Sequence, residues 1–149
     1  CNEADNTMNI TPTKIVIADS NADVRAALQL TLEQMGGFTV LAGVQDSIEL
    51  FSVITSECPQ ILLIDPELSG VKMPRRGIFS SLKELLSTLR RICPTLTIFC
   101  ISNLTENQNE CRLAGIDGYF YKGDPPDALI ARLQTYNKVG DRYSHINRR

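Results

Sequence analysis

Four polar side chains stand where apolar runs of the sequence end, and together they have the chemistry to accept a phosphoryl group. These residues are Asp19, Asp65, Ser102 and Lys122. A carboxylate can act as a nucleophile and form an aspartyl phosphate, and an ammonium and a hydroxyl can bind phosphoryl oxygens. Two adjacent carboxylates repel each other and need a cation, and Mg²⁺ prefers such oxygen ligands. Asp65 alone is equally typical of a strand end or a turn, so the prediction depends on all four ends meeting.

The elements that would position these residues alternate regularly along the chain. Strands are predicted over residues 14–19, 38–42, 61–65, 97–102 and 117–122. Helical spacing is found up to residue 35, over 47–57, 78–92 and 103–114, and after residue 127. This alternation predicts an α/β fold, a doubly wound five-stranded parallel sheet with helices on both faces. The carboxyl ends of parallel strands share one edge, where sites form in such folds.

Composition limits the function classes that the chain can have. Its 149 residues, 43% hydrophobic and 21% charged, suit one globular domain. The net charge of −2 gives no case for direct nucleic-acid binding. No apolar run approaches the roughly 20 residues of a membrane span, and the polar N-terminus does not resemble a signal peptide. We therefore expect a cytoplasmic protein that has no membrane partner.

Cysteine and histidine usage excludes further chemistries. The five cysteines are odd in number and none forms a C-x-x-C pair. We therefore predict that they are mostly small buried hydrophobes and not disulfides or zinc ligands. The only histidine, His145, lies in the C-terminal tail, which argues against a Ser-His or Cys-His nucleophile and a histidine-based metal site.

Taken together, the motifs resemble the response-regulator receiver domain (CheY-like) of two-component signalling. They are IVIADSNADVR, ILLIDPELSG, TIFCISN and AGIDGYFYKGDPPDAL. The resemblance covers residues 14–137 and implies a flavodoxin/CheY-like (βα)5 fold with strand order 2-1-3-4-5. Residues 1–13 would be a disordered segment or derive from upstream sequence. Residues 138–149 would be a tail or the start of a linker.

The resemblance also assigns roles to single residues. Asp65 would be the phosphoacceptor, and Lys122 and Ser102 would assist it. Ser102 and Tyr119 would form the switch, whose movement alters the surface of the fourth helix, fifth strand and fifth helix. Magnesium would be held by the carboxylates of Asp19 and Asp65 and by the backbone carbonyl of Glu67. The Glu67 side chain is a further candidate ligand.

Ser20 is the main departure from the family pattern, because a second acidic residue usually occupies this position and binds Mg²⁺ directly. Losing that charge should weaken Mg²⁺ binding by about tenfold to a hundredfold, or ~1.4 to 3 kcal/mol. Asp23 could compensate, although a charge in the first turn of a helix is favourable by itself. Glu67 is equally consistent with a solvated loop residue and a site residue.

Three smaller features concern the loops. Gly123 follows Lys122 where the family usually has a cis proline, and its permissive backbone should preserve the loop. Asn103 follows Ser102 where a smaller residue is common, and it would narrow access to Asp65. The basic residues after Asp65 are expected in a solvated loop rather than in a nucleic-acid patch: Lys72, Arg75 and Arg76.

Three hypotheses follow. The first is a receiver that accepts a phosphoryl group on Asp65 with Mg²⁺ from a histidine kinase or phosphotransfer protein, and that is no enzyme beyond its own phosphorylation and dephosphorylation. The second is a degenerate receiver, a protein-interaction module that needs no phosphorylation because of Ser20. The third is a phosphatase of the haloacid-dehalogenase kind with Asp19 as nucleophile, which Asn21 disfavours because the general acid belongs there. A homodimer and an output domain beyond residue 149 are left open.

Overall fold

The computed structural model describes residues 11–69, 81–105 and 108–135. In these ranges strands and helices alternate: β1 (Thr13–Ala18), α1 (Ala22–Met35), β2 (Phe38–Val44), α2 (Ser47–Ser56), β3 (Ile61–Ile64), α3 (Leu82–Ile92), β4 (Thr97–Ser102), α4 (Gln108–Leu113) and β5 (Gly118–Tyr121). A last helix, α5, is described over 127–135. The strands form one parallel sheet in the order β2-β1-β3-β4-β5, which confirms the predicted fold and strand order.

The core lies on both faces of the sheet because side chains alternate along each strand. In β3, Leu62 and Ile64 pack with the leucines of α3 and with α2. Ile61 and Leu63 pack on the other face with Leu32 of α1 and with α5. All four β3 side chains are buried, as expected for a central parallel strand. This continuous apolar strand carries Asp65 directly to the carboxyl edge.

Local signals set the helix ends. Asn21, Asp46 and Ser81 are N-caps whose side chains accept backbone N–H groups. Gly36 has a φ of 75° after α1, where a residue with a Cβ would be strained. The longest helix that has bounds at both ends, α1, spans 14 residues, and none of the described helices combines the length and apolar character that crossing a membrane requires.

The predicted fourth helix was too long at its start. It was expected over 103–114, but residues 103–105 are not α-helical, and α4 is described over Gln108–Leu113. The Ser102 hydroxyl accepts the Leu104 N–H at 3.0 Å, and this local turn replaces the first helical hydrogen bonds. The third helix was predicted from residue 78, but Ser81 is its extended N-cap and α3 begins at Leu82. Residue 78, the basic residues of 72–76 and the two chain ends lie outside the described residues.

The cysteine prediction was wrong for one pair. Cys58 and Cys93 form a disulfide with a Cα–Cα distance of 5.8 Å across a sequence separation of 35 residues. Cys58 precedes β3 and Cys93 caps the end of α3. The crossover returns the chain to the amino edge of the sheet, which brings the two residues together. Cys100 and Cys111 are buried free thiols as predicted.

Candidate functional site

Two buried carboxylates stand side by side at the carboxyl edge of the sheet. Asp19 and Asp65 each follow the last residue of a central strand, and those residues, Ala18 and Ile64, are direct partners in the β1–β3 pairing. The Asp65 N–H donates to the Ala18 carbonyl at 2.9 Å. Asp19 is 4% exposed and Asp65 is 8% exposed. The predicted meeting of the two acids is therefore present.

Lys122 supplies the positive charge that the two carboxylates need. Its Nζ lies 2.6 Å from Asp19 Oδ2 and 2.5 Å from Asp65 Oδ2. The Lys122 N–H donates to the Ser102 carbonyl at 2.7 Å, which fixes the end of β5 against β4. Burial alone would lower the Lys122 pKa, but the hydrogen bonds and charges of the two carboxylates outweigh it, and the pKa is raised. The ammonium therefore stays charged between the acids.

The other oxygen of each carboxylate accepts a backbone N–H. Asp19 Oδ1 accepts from Asn21 at 2.9 Å, and Asp65 Oδ1 accepts from Glu67 at 2.7 Å. All four carboxylate oxygens thus have a donor, which holds both side chains in place. Two carboxylates and one ammonium leave a formal net charge of −1, so the edge still attracts a cation.

Ser20, which follows Asp19, makes its hydrogen bonds to the two neighbouring loops. Its Oγ donates to the Gln45 carbonyl at 3.2 Å, accepts the Ser69 N–H at 3.1 Å and lies 3.2 Å from Ser69 Oγ. The Ser69 carbonyl in turn accepts the Ser47 N–H at 2.9 Å. Ser20 therefore joins the loops after β1, β2 and β3 through neutral hydrogen bonds. Nothing in the sequence indicated Gln45 or Ser69 as its partners.

The donors suit a magnesium ion only weakly. No group of three or more carboxylate, thiol and imidazole side chains in the described ranges is arranged to hold a metal. Mg²⁺ does not need such a cage, since it binds through one or two carboxylates and keeps several waters. Asp19 and Asp65 offer these ligands, but Lys122 already neutralises part of their charge. Glu67 is exposed beside them, and Asp23 is exposed in the first turn of α1.

The predicted switch residues meet at one loop residue, Leu104. Ser102 is completely buried, and its Oγ accepts the Leu104 N–H. The Tyr119 hydroxyl donates to the Leu104 carbonyl, and burial raises the Tyr119 pKa. Tyr121, two residues further along β5, is exposed, whereas Tyr119 is half-buried. Movement of the Leu104 loop would therefore affect both Ser102 and Tyr119.

Gly123 does not adopt an unusual backbone angle, and it lies against the ring of the exposed Tyr121. It has no positive φ, and the described residues contain no cis peptide bond. A Cβ at Gly123 would lie 2.2 Å from Tyr121 Cε2. Asn103 is exposed and, with Lys122, lines a cavity of about 410 Å³ between α1 and α5. That Asn103 narrows access to Asp65 stays a prediction.

Comparisons with known proteins agree on the fold. No protein-family model matches the chain. It is 25% identical over 126 residues to the oxygen regulatory protein NreC of two Staphylococcus epidermidis strains, which covers 82% of this chain. The chain spans about half, 53%, of these curated relatives.

Solved receiver structures superpose on most of the chain. A CheY-like receiver domain from Methanospirillum hungatei gives a TM-score of 0.71 at 19% identity, covering 89% of this chain and 99% of the other. The isolated REC domain of RcsB from Salmonella enterica, determined with the phosphomimetic BeF3⁻, gives a TM-score of 0.70 at 22% identity, covering 86% of this chain and 90% of the other. A LuxR-family DNA-binding response regulator from Staphylococcus aureus gives a TM-score of 0.69 at 17% identity, covering 84% of this chain and 98% of the other. These likenesses establish a shared fold.

Proposed function

We propose that this chain, which has the fold of a response-regulator receiver domain, accepts a phosphoryl group on Asp65. One observation carries the proposal: the Lys122 ammonium lies 2.5 Å from the Asp65 carboxylate at the carboxyl edge of the sheet, beside Asp19. This arrangement combines a nucleophile, a cation for phosphoryl oxygens and a second acid in one small site. Burying each carboxylate costs desolvation energy, so a buried cluster of this kind is weak evidence for a purely stabilising role.

The chain's own residues have clear tasks in this reaction. An Asp65 carboxylate oxygen attacks the phosphorus, and the bond from phosphorus to the donor's leaving group breaks. Lys122 then pairs with a phosphoryl oxygen, and the Glu67 N–H keeps the Asp65 side chain oriented. Mg²⁺, when held by Asp19, Asp65 and the Glu67 backbone carbonyl, would supply further positive charge to the phosphoryl oxygens. Water reverses the modification by hydrolysis of the aspartyl phosphate.

The switch is proposed to run through Ser102. A phosphoryl group brings negative charge and three acceptor oxygens to the edge. The Ser102 hydroxyl would leave its bonds with Leu104 to donate to one of these oxygens. Tyr119 is bonded to the same Leu104, so it would move with that loop and change the surface of α4, β5 and α5. The donor would be a histidine kinase or a phosphotransfer protein.

Labelling with acetyl phosphate tests the proposal. We expect Mg²⁺-dependent label on wild type, no label on Asp65→Asn, and faster labelling of Ser20→Asp. Intact-mass spectrometry gives the extent, and borohydride trapping followed by peptide mapping gives the residue. Equal labelling of wild type and Asp65→Asn would refute the proposal, and label trapped at Asp19 would favour the phosphatase hypothesis.

A second candidate function is a degenerate receiver that binds partners without phosphorylation. The contacts of Lys122 and Ser20 favour it, because Lys122 already occupies Oδ2 of both carboxylates and Ser20 is bonded to neighbouring loops. Amide NMR spectra with beryllofluoride and millimolar Mg²⁺ separate the two candidates. Shifts around Asp65, Ser102 and Tyr119 would support the phosphoacceptor, and unchanged spectra would support the degenerate module.

A further inference from the structure

The amino edge of the sheet, opposite the Asp65 site, carries the disulfide between Cys58 and Cys93. The two residues are very differently accessible. Cys58 lies in the exposed connection between α2 and β3, whereas Cys93 is 2% exposed at the end of α3. An exposed cysteine bonded to a buried one gives a defined order of reaction, because a reagent from solution meets the exposed residue first.

The Cys58 side of the pair is held in place without the disulfide. The Glu57 N–H donates to the Val53 carbonyl at 3.0 Å, and the Gln60 N–H donates to the Lys14 carbonyl at 2.9 Å. The Lys14 N–H donates back to Gln60 Oε1 at 2.7 Å. These bonds attach the residues on both sides of Cys58 to α2 and β1. Opening the disulfide therefore leaves the local backbone anchored.

The Cys93 side is equally fixed. The Cys93 N–H donates to the Leu89 carbonyl at 2.8 Å, and the Cys93 carbonyl accepts the Leu96 N–H at 3.1 Å. The Thr97 N–H donates to the Gln60 carbonyl at 3.0 Å, which joins the two connections directly. Since both backbones keep their positions, reduced thiols would remain adjacent and could close again without rearrangement.

We propose that Cys58 and Cys93 form a thiol–disulfide exchange site in which Cys58 is the entry sulfur and Cys93 the resolving sulfur. The oxidant is a low-molecular-weight disulfide. The Cys58 thiolate attacks one of its sulfurs, the small disulfide bond breaks, and one small thiol leaves with a proton. The Cys93 sulfur then attacks Cys58 Sγ, the bond between Cys58 Sγ and the small thiol breaks, and the second small thiol leaves with the proton of Cys93. Two electrons pass from the pair to the oxidant, and excess thiol reverses both steps.

The other described cysteines do not take part. Cys100 and Cys111 are fully buried, and their mutual hydrogen bond together with burial raises the Cys100 pKa well above its ordinary value. A neutral buried thiol is a poor nucleophile. Protection of Cys100 and Cys111 from alkylation therefore reports that the protein is folded, and it serves as an internal control in each experiment below.

Glutathione is the probe for the test, and Cys1→Ser is added to all proteins so that Cys1 does not react. In the otherwise unchanged protein, excess reduced glutathione should open the disulfide and excess oxidised glutathione should close it. Differential alkylation with peptide mapping reads both states. In Cys93→Ser, a stable mixed disulfide with glutathione should accumulate on Cys58. In Cys58→Ser, the adduct on Cys93 should form about tenfold more slowly or not at all.

Several outcomes would overturn the proposal, each with Cys100 and Cys111 still protected. One is a pair that stays closed in excess reduced glutathione, which would make the bond purely structural. Another is a pair that stays open in excess oxidised glutathione. A third is an adduct that forms on Cys93 as fast as on Cys58. The protein that keeps both Cys58 and Cys93 tests the proposal by itself, because its disulfide must open in reduced glutathione and close in oxidised glutathione even when a variant fails to fold.

Discussion

Removing the Lys122 charge should cost far more stability than removing an exposed lysine with the same contact distance. Lys122 Nζ lies 2.5 Å from Asp65 Oδ2, and the two side chains are only 12% and 9% exposed. In Lys122→Met the two carboxylates remain buried without a cation, and breaking such a pair costs about 3–5 kcal/mol. Lys14 also lies 2.5 Å from its partner, Glu57, but their side chains are 40% and 50% exposed. Lys14→Met should cost only about 0–1 kcal/mol.

Urea unfolding at pH 7, followed by circular dichroism, measures both losses in the free energy of unfolding. The disulfide state must be the same in all proteins. A third protein tests the cause: Asp65→Asn added to Lys122→Met leaves one buried carboxylate instead of two, so it should recover a large part of the loss. The same Asp65→Asn change in wild type should give no such gain, because Lys122 then loses a partner.

Two results would refute this account. Equal losses for Lys122→Met and Lys14→Met would mean that burial does not strengthen the ion pairs at the edge. A loss that Asp65→Asn leaves unchanged would mean that Lys122 acts through the packing of its aliphatic stem and not through its charge.

Three further predictions concern other parts of the molecule. Reducing the disulfide should lower the free energy of unfolding by about 4 kcal/mol from chain entropy for a 35-residue loop, seen in denaturant curves with and without dithiothreitol. The Lys122 pKa is raised in the folded state, so the folded protein keeps a proton that the unfolded chain loses at high pH. The contribution of Lys122 to stability should therefore be full below the ordinary pKa of 10.5 and fall at higher pH. Urea unfolding midpoints between pH 9 and 11, with Lys122→Met as the control, check this expectation. Gly118→Ala should cost about 1–3 kcal/mol, because its Cβ would lie 2.9 Å from the buried Phe99 ring, whereas Gly43→Ala, which meets only the stem of Arg25 at 3.4 Å, should cost less in the same unfolding assay.

The sequence was sufficient for the fold and for the meeting of Asp19, Asp65 and Lys122. Each of these residues ends or follows a strand, and parallel pairing brings the carboxyl ends of the strands to one edge for any conformation of the loops. The sequence could not show that Lys122 contacts both acids, because that depends on how a long side chain crosses β4. The Leu104 contacts of Ser102 and Tyr119 depend in the same way on the path of one loop.

Contacts between loops that are distant in the sequence could not be predicted either. Ser20 and Ser69 are 49 residues apart, and neither has a neighbour pattern that marks a partner. The disulfide was missed for a related reason. The odd number of cysteines and the lack of a C-x-x-C pair argued against a disulfide. The disulfide forms because α3 returns the chain to the amino edge of the sheet, where Cys93 meets Cys58. Short-range patterns predict elements well, whereas single long-range contacts depend on the final register.

The disulfide also changes how the chain would respond to cleavage. It closes a covalent ring that contains β3, Asp65 and α3, the segment between Cys58 and Cys93. One cut of the backbone anywhere inside this ring leaves the two pieces joined as a single molecule. On a denaturing gel the cut protein would run as one band until a reductant is added. Strand β3, with Asp65 at its end, therefore stays tethered to the rest of the sheet after a nick that would otherwise split the domain in two.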